Sequence, residues 1–243
     1  MEEFNNVHLV AVWGFVIAAV FGFVSNKTNF CSMGAISDVL HMGSKGRLGA
    51  WFLAIGIAVL GTQGLQLAGL VDVGESIYLG TTFTWFSHVV GGLLFGVGMT
   101  LGAGCGQRNL VRLGTGNLRA LVVLLVLGIT AYATVRGLLG PVRIGVFEPV
   151  SVDLAEHGYT DQRLSSLLGA LFGLQDAAWF AIVVAAGVGL LLILYALRQP
   201  ALRQSFDNLL AGVVIGLCIV AGWFVTGYLG MDDFDPVAVE SFT

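Results

Sequence analysis

Few residues in this chain are suited to chemistry, and most of them fall in two short stretches. NFCSMGAISD (Asn29–Asp38) carries Cys31, and GAGCGQRNLVRLGTG (Gly102–Gly116) carries Cys105 beside Arg108 and Arg112. A thiol is a weak, neutral hydrogen-bond donor. Glycine lets the backbone turn tightly and bring its N–H groups against a ligand. A cysteine set among glycines and polar residues reads either as ligand-facing or as a small apolar filler, and the polar setting of Cys31 and Cys105 favours the first. The third cysteine, Cys218, sits inside LLAGVVIGLCIVAGW, where a free cysteine is a small apolar filler. No C-x-x-C pair occurs, and His8, His41, His88 and His157 are scattered, so neither a metal site nor another cofactor is expected. GTGN (Gly114–Asn117) has no strand before it and fails as a nucleotide loop. With no ATP-binding motif, the chain is not itself an ATP-driven pump, and no nucleic-acid partner is expected.

The elements that must position these residues follow from composition. The chain is 56% hydrophobic, only 11% charged, and has a mean hydropathy of +0.88. Soluble domains carry about a quarter charged residues, so this chain lacks the charge to cover a water-facing surface. Six runs approach the roughly 20 apolar residues a bilayer span needs: Val7–Val24, Leu48–Val71, Phe86–Leu101, Leu118–Leu139, Ala177–Leu197 and Leu209–Leu229. Barrel strands would be shorter and strictly alternating. The reading is an all-α polytopic membrane protein with about six transmembrane helices and two short re-entrant cysteine-bearing segments. Residues 1–243 form one transmembrane domain: helix–cysteine repeats over 1–139, an outer connection over 140–176 with a short helix near Asp161–Leu174, and remaining helices over 177–243. Glu2 and Glu3 precede the first run, so it reads as a retained helix rather than a signal peptide.

Basic residues favour the cytoplasmic side of short connections. Lys27, Lys45 and Arg47 lie in the first connection, Arg108, Arg112 and Arg119 in or beside the third, and Arg198 and Arg203 in the fifth. That pattern places both termini outside the inner (plasma) membrane, where the acidic tail Met231–Ser241 also fits. Arg108 and Arg112 are four apart and share a helical face. They and Lys27 either meet lipid phosphate or raise the positive potential at an anion exit. Asp38 reads as a capping or pairing residue for a nearby base ahead of any proton relay.

The two cysteine stretches echo each other. In each, a long helix leads into a polar segment with cysteine near its start, and glycines and a base precede the next helix. Transporters are often built from such repeats. In Phe30–Met42 the apolar residues Phe30, Met33, Ile36 or Val39, and Leu40 stand at helical spacing, in a segment too short to span. Irregular backbone at membrane depth survives only when buried in protein or lining a wet cavity. The pairs Gly92 and Gly96, Gly98 and Gly102, and Gly102 and Gly106 have the spacing of tight helix contacts.

NFCSMGAISD, GAGCGQRNLVRLGTGNLRALV and NLLAGVVIGLCIVAGWFVTG together resemble the YeeE/YedE family of sulfur-compound transporters, over most of the chain. The resemblance implies uptake of thiosulfate or a related sulfur oxyanion along a narrow path lined by cysteines on short central helices, and no enzymatic activity. The matching cysteines are Cys31 and Cys105, with Gly34, Gly104, Gly106, Gln107 and Arg108 on the same path and Lys27 and Arg112 attracting the anion. Longer members have a second half with its own cysteine segment, whereas this sequence ends at VAVESFT. The pathway is therefore expected to be completed past Thr243, or by a second copy or partner subunit. Two other readings stay open: a membrane sulfur-relay or redox protein using a cysteine persulfide, and a non-catalytic membrane subunit that needs a partner.

Overall fold

The computed structural model describes residues 2–75, 79–147, 149–157, 159, 162–172 and 178–230. The acidic tail Met231–Ser241 lies outside them. Long helices are α1 (Glu2–Thr28), α3 (Gly46–Leu67), α4 (Trp85–Leu101), α6 (Leu118–Val135), α9 (Ala178–Arg198) and α11 (Phe206–Phe224). Short ones are α2 (Ser32–Ser37), α5 (Gly106–Gly114), α7 (Gly140–Val142), α8 (Leu164–Phe172) and α10 (Pro200–Arg203). Strand β1 (Thr82–Phe83) pairs antiparallel with β2 (Val152–Asp153). Among the described residues six helices are long and apolar enough to cross a membrane, and the chain is an all-α polytopic membrane protein. The short helix expected near Asp161–Leu174 is α8; Asp161 and Leu174 themselves lie outside the described residues.

Helix ends follow local chemistry. Ser205 caps α11, its hydroxyl accepting from the Asn208 N–H at 3.3 Å, as serine does at an N-cap. The fourth run was expected to continue to Leu139, yet α6 closes at Val135. Arg136 caps it, the Leu139 N–H returns to the Ala133 carbonyl at 3.0 Å, and Gly140–Pro141 begins a new element.

The chain divides into two compact units. The first comprises Met1–Phe30, Ala35–Gly80 and Arg163–Thr243. Its core is α3 packed against both α9 and α11, with Ala50, Leu53, Ala54, Ala196, Leu202, Ala211 and Ile215 buried together. Glycine makes the approach close. A Cβ added at Gly56 would stand 2.9 Å from the Gly189 carbonyl oxygen, and one at Gly216 2.9 Å from that of Ala54. Phe30 and Trp51 stack in this unit, 5.0 Å between centroids and 13° between planes.

The second unit comprises Cys31–Gly34 and Thr81–Gln162. Within it α5 packs on α6, and the Gln162 side-chain amide donates to the Thr82 carbonyl at 2.9 Å. The tight contacts expected at Gly92, Gly96 and Gly98 are not formed among the described residues. An added Cβ at each meets nothing within 4 Å, because α4 buries no residue along its length. The small-residue contacts of this protein belong to α3, α9 and α11 instead.

Candidate functional site

Cys31 follows a sharp stop. Thr28 donates its hydroxyl to the Val24 carbonyl at 2.7 Å. Asn29 then adopts the left-handed conformation, φ 53°, and the Phe30 N–H returns to the Ser25 carbonyl at 3.2 Å. This is the Schellman way of ending a helix. Asparagine tolerates that conformation better than other residues with a side chain. Cys31 comes next, 5% exposed, immediately before α2.

Cys105 follows the same stop. Ala103 is left-handed, φ 54°, the Ala103 N–H reaches the Thr100 carbonyl at 3.4 Å, and the Gly104 N–H reaches the Met99 carbonyl at 2.9 Å. Cys105, 8% exposed, is the N-cap of α5 with extended backbone (φ −69°, ψ 171°), and its side chain makes no capping bond. In both segments the left-handed residue stands two before the cysteine, and a short helix starts directly after it. The loose sequence echo is thus a shared backbone geometry.

Cys31–Gly34 falls in the same compact unit as the Cys105 corner, Thr81–Gln162, whereas Asn29 and Phe30 fall in the other unit. Ser32 Oγ lies 4.0 Å from the Met99 sulfur, and Met99 is the residue whose carbonyl closes the second corner. Gly34 is half-buried within α2, and Gly104 is buried with φ 150°. A Cβ there would stand 2.9 Å from Arg108 Cγ, so Arg108 lies over the glycine. Gly106, Gln107 and Arg108 form the first turn of α5 and are half-buried. Lys27 is exposed on the last turn of α1. Arg112 donates to the Ala103 carbonyl at 2.8 Å.

One residue does more than the sequence indicated, and another does what was expected of it. Asn109, 2% exposed, directs its amide at the carbonyls of Gly102, Gly104 and Cys105, at 3.3, 3.1 and 3.2 Å. Its only sequence signal was its position four residues after Cys105. Asp38, 6% exposed, pairs with Arg47 through two bonds, 2.5 Å to Nε and 2.7 Å to Nη2. This is the pairing expected of it, and it ties the end of the α2 segment to the start of α3. In Phe30–Met42 the buried residues are Phe30, Cys31, Ala35 and Asp38, while Ile36 and Leu40 are 51% and 73% exposed. Of the apolar residues at helical spacing, Phe30 is the buried one; in a bilayer the outer face of a helix is apolar too.

Cys218 is half-buried in the first unit, in an apolar groove of about 470 Å³ lined by Trp13, Val16, Leu217 and Ala221 among others. Among the described residues no three His, Cys, Asp or Glu side chains gather as metal ligands would. Chemically, each corner offers one buried thiol at the head of a short helix. Helix heads carry N–H groups without intrahelical acceptors and a partial positive charge.

A family model described as Sulphur transport matches residues 27–240. The chain is 31% identical over 103 residues to a protein named thiosulfate transporter TsuA from Escherichia coli (strain K12), covering 42% of this chain and 28% of that protein. It is 27% identical over 225 residues to a protein of the same name from Spirochaeta thermophila, covering 90% of this chain and 64% of that protein. The chain thus spans less than two thirds of the length of either relative. No solved structure matches it.

Proposed function

Because the chain belongs to the Sulphur transport family, the YeeE/YedE family of its sequence resemblance, we propose that it carries thiosulfate or a related sulfur oxyanion into the cell, with Cys31 and Cys105 as the thiols the anion meets. The observation supporting this most is the common corner geometry: a left-handed residue, one intervening residue, then a buried cysteine heading a short helix. The curated relatives bear the name thiosulfate transporter, which supports the choice of anion.

The physical case is one of moderation. A bare ion in a dry, low-dielectric medium costs tens of kcal/mol, so a dianion needs compensation along its whole route. Full pairing with buried arginines would hold it too firmly to release. A helix head supplies roughly half a positive charge and free N–H donors. A neutral thiol does not repel the anion and donates weakly to its terminal sulfur. Gly34, Gly104, Gly106 and Gln107 shape the backbone along this route, and Arg108, Arg112 and Lys27 draw the anion toward the cytoplasm. The two short helices are re-entrant in this reading, both termini face outside the inner membrane, and the chain is a transporter without enzymatic chemistry. Its route is completed by a second copy or a partner subunit.

The test is uptake of labelled thiosulfate by the complete system in cells lacking other importers. A hydrogen bond to a charged group is worth about 1.5–3 kcal/mol, so Cys105→Ala should lower the rate by about tenfold or more. Cys218→Ala should be nearly silent. Unchanged uptake by Cys105→Ala refutes the thiol's role. A persulfide mass on Cys31 or Cys105 during turnover would replace this mechanism with a sulfur relay.

A further inference from the structure

Polar backbone inside a low-dielectric surrounding must be satisfied, and a carbonyl left bare beside an anion route repels the anion. The Cys105 corner meets both demands in one way. Its consecutive carbonyl oxygens, from Gly102 to Cys105, all accept hydrogen bonds from side chains of α5. The two protons of Asn109 Nδ2 are shared among those of Gly102, Gly104 and Cys105, and Arg112 Nη1 takes that of Ala103. The Cys105 oxygen also accepts the Asn109 main-chain N–H at 3.1 Å. Asn109 is among the largest fully buried side chains of the protein, so its amide has little alternative to these oxygens.

We infer that Asn109, seconded by Arg112, is the positioning residue of the Cys105 corner: it turns these carbonyls inward so that an arriving anion meets a thiol and N–H donors rather than oxygen lone pairs. The inference rests on the reading that Cys105 meets the anion. It extends that reading from the cysteine to the group that decides the sign of the surface around it. An amide is needed for the task. A carboxylate of the same shape would set acceptor against acceptor at three places and add a negative charge. Alanine would leave buried carbonyls without donors.

The experiment uses the full chain in its membrane. N-ethylmaleimide labelling of Cys105 and of Cys218 is followed separately by peptide mass, in the native sequence and in Asn109→Asp, Asn109→Ala and Arg112→Gln. A buried cysteine reacts through local opening. Loss of the amide's bonds should therefore raise the Cys105 rate relative to Cys218 by about tenfold in both Asn109 variants, and by about threefold in Arg112→Gln. Uptake by Asn109→Asp should fall by about tenfold, mainly in maximal rate, because the thiol is displaced and the corner turned acidic. An unchanged Cys105 to Cys218 labelling ratio in Asn109→Asp and Asn109→Ala overturns the inference. If Asn109→Asp does not accumulate in the membrane, Asn109→Ser, which keeps one donor, makes the same comparison. Retained uptake in Cys105→Ala would sink the thiol route, whereas the labelling ratio judges Asn109 independently of it.

Discussion

The Asp38–Arg47 pair makes an asymmetric prediction. The Asp38 side chain is 8% exposed and that of Arg47 31%, so the carboxylate has lost nearly all its water while the guanidinium keeps some. Breaking a fully buried ion pair by deleting one partner costs about 3–5 kcal/mol. The partial exposure of Arg47 brings Arg47→Ala down to about 2–3 kcal/mol, because a buried carboxylate is left uncompensated. Asp38→Asn removes the more deeply buried charge, leaves a guanidinium that keeps some water and retains one acceptor, so it should cost about 1 kcal/mol. In a chain of this size each kcal/mol moves the melting temperature by about 2–4 °C. Thermal unfolding in detergent should therefore show Arg47→Ala lower by about 5–10 °C and Asp38→Asn lower by about 2–4 °C. The double variant should be less destabilised than the sum, with a coupling of about 1–2 kcal/mol. Equal effects of the two single changes, or strict additivity, would refute the view that this pair pins the cysteine-bearing segment to α3.

Two further predictions concern the backbone. Ala103→Gly removes a side chain from a left-handed residue and should stabilise the protein by about 1 kcal/mol in thermal unfolding. Gly104→Ala should cost about 1–3 kcal/mol in the same assay and reduce thiosulfate uptake, because φ is 150° and the new Cβ meets Arg108 Cγ at 2.9 Å. In the core, Gly212→Ile should abolish accumulation of folded protein, since even a Cβ stands 3.0 Å from the Ala50 carbonyl oxygen, whereas Gly96→Ala, with open space around it, should fold with unchanged or slightly higher stability.

Much of this architecture is legible because the bilayer is a strict solvent. It demands long apolar runs, and the six runs recover the six long helices with ends displaced by a few residues. The cysteine segments stand out for the opposite reason: glycine and polar residues interrupt a greasy chain at Asn29–Asp38 and Gly102–Asn117. What resisted reading is informative. The helical spacing of Phe30, Met33, Ile36 or Val39, and Leu40 marks a helix but not which side of it is buried, because apolar residues in a membrane protein point outward as readily as inward. Gly92 and Gly96 have the spacing of a helix contact, yet the contacts fall on Gly56, Gly189, Gly212 and Gly216, because spacing reports a smooth face and not what lies against it. The left-handed Ala103 was invisible, since alanine is a poor occupant of that region. Asn109 reads as an ordinary helix residue until the carbonyls it serves are seen.

The two corners share a shape but not a source of stiffness. Asn29 accepts its twisted geometry by its own chemistry, and Phe30 beside it is stacked on Trp51. Ala103 resists the same geometry and is held by braces reaching back from α5. One sulfur therefore rides on a turn whose left-handed residue favours that form, and the other on a turn whose left-handed residue leans on side chains of the helix that follows. On warming, amide exchange should quicken around Cys105 well before it does around Cys31.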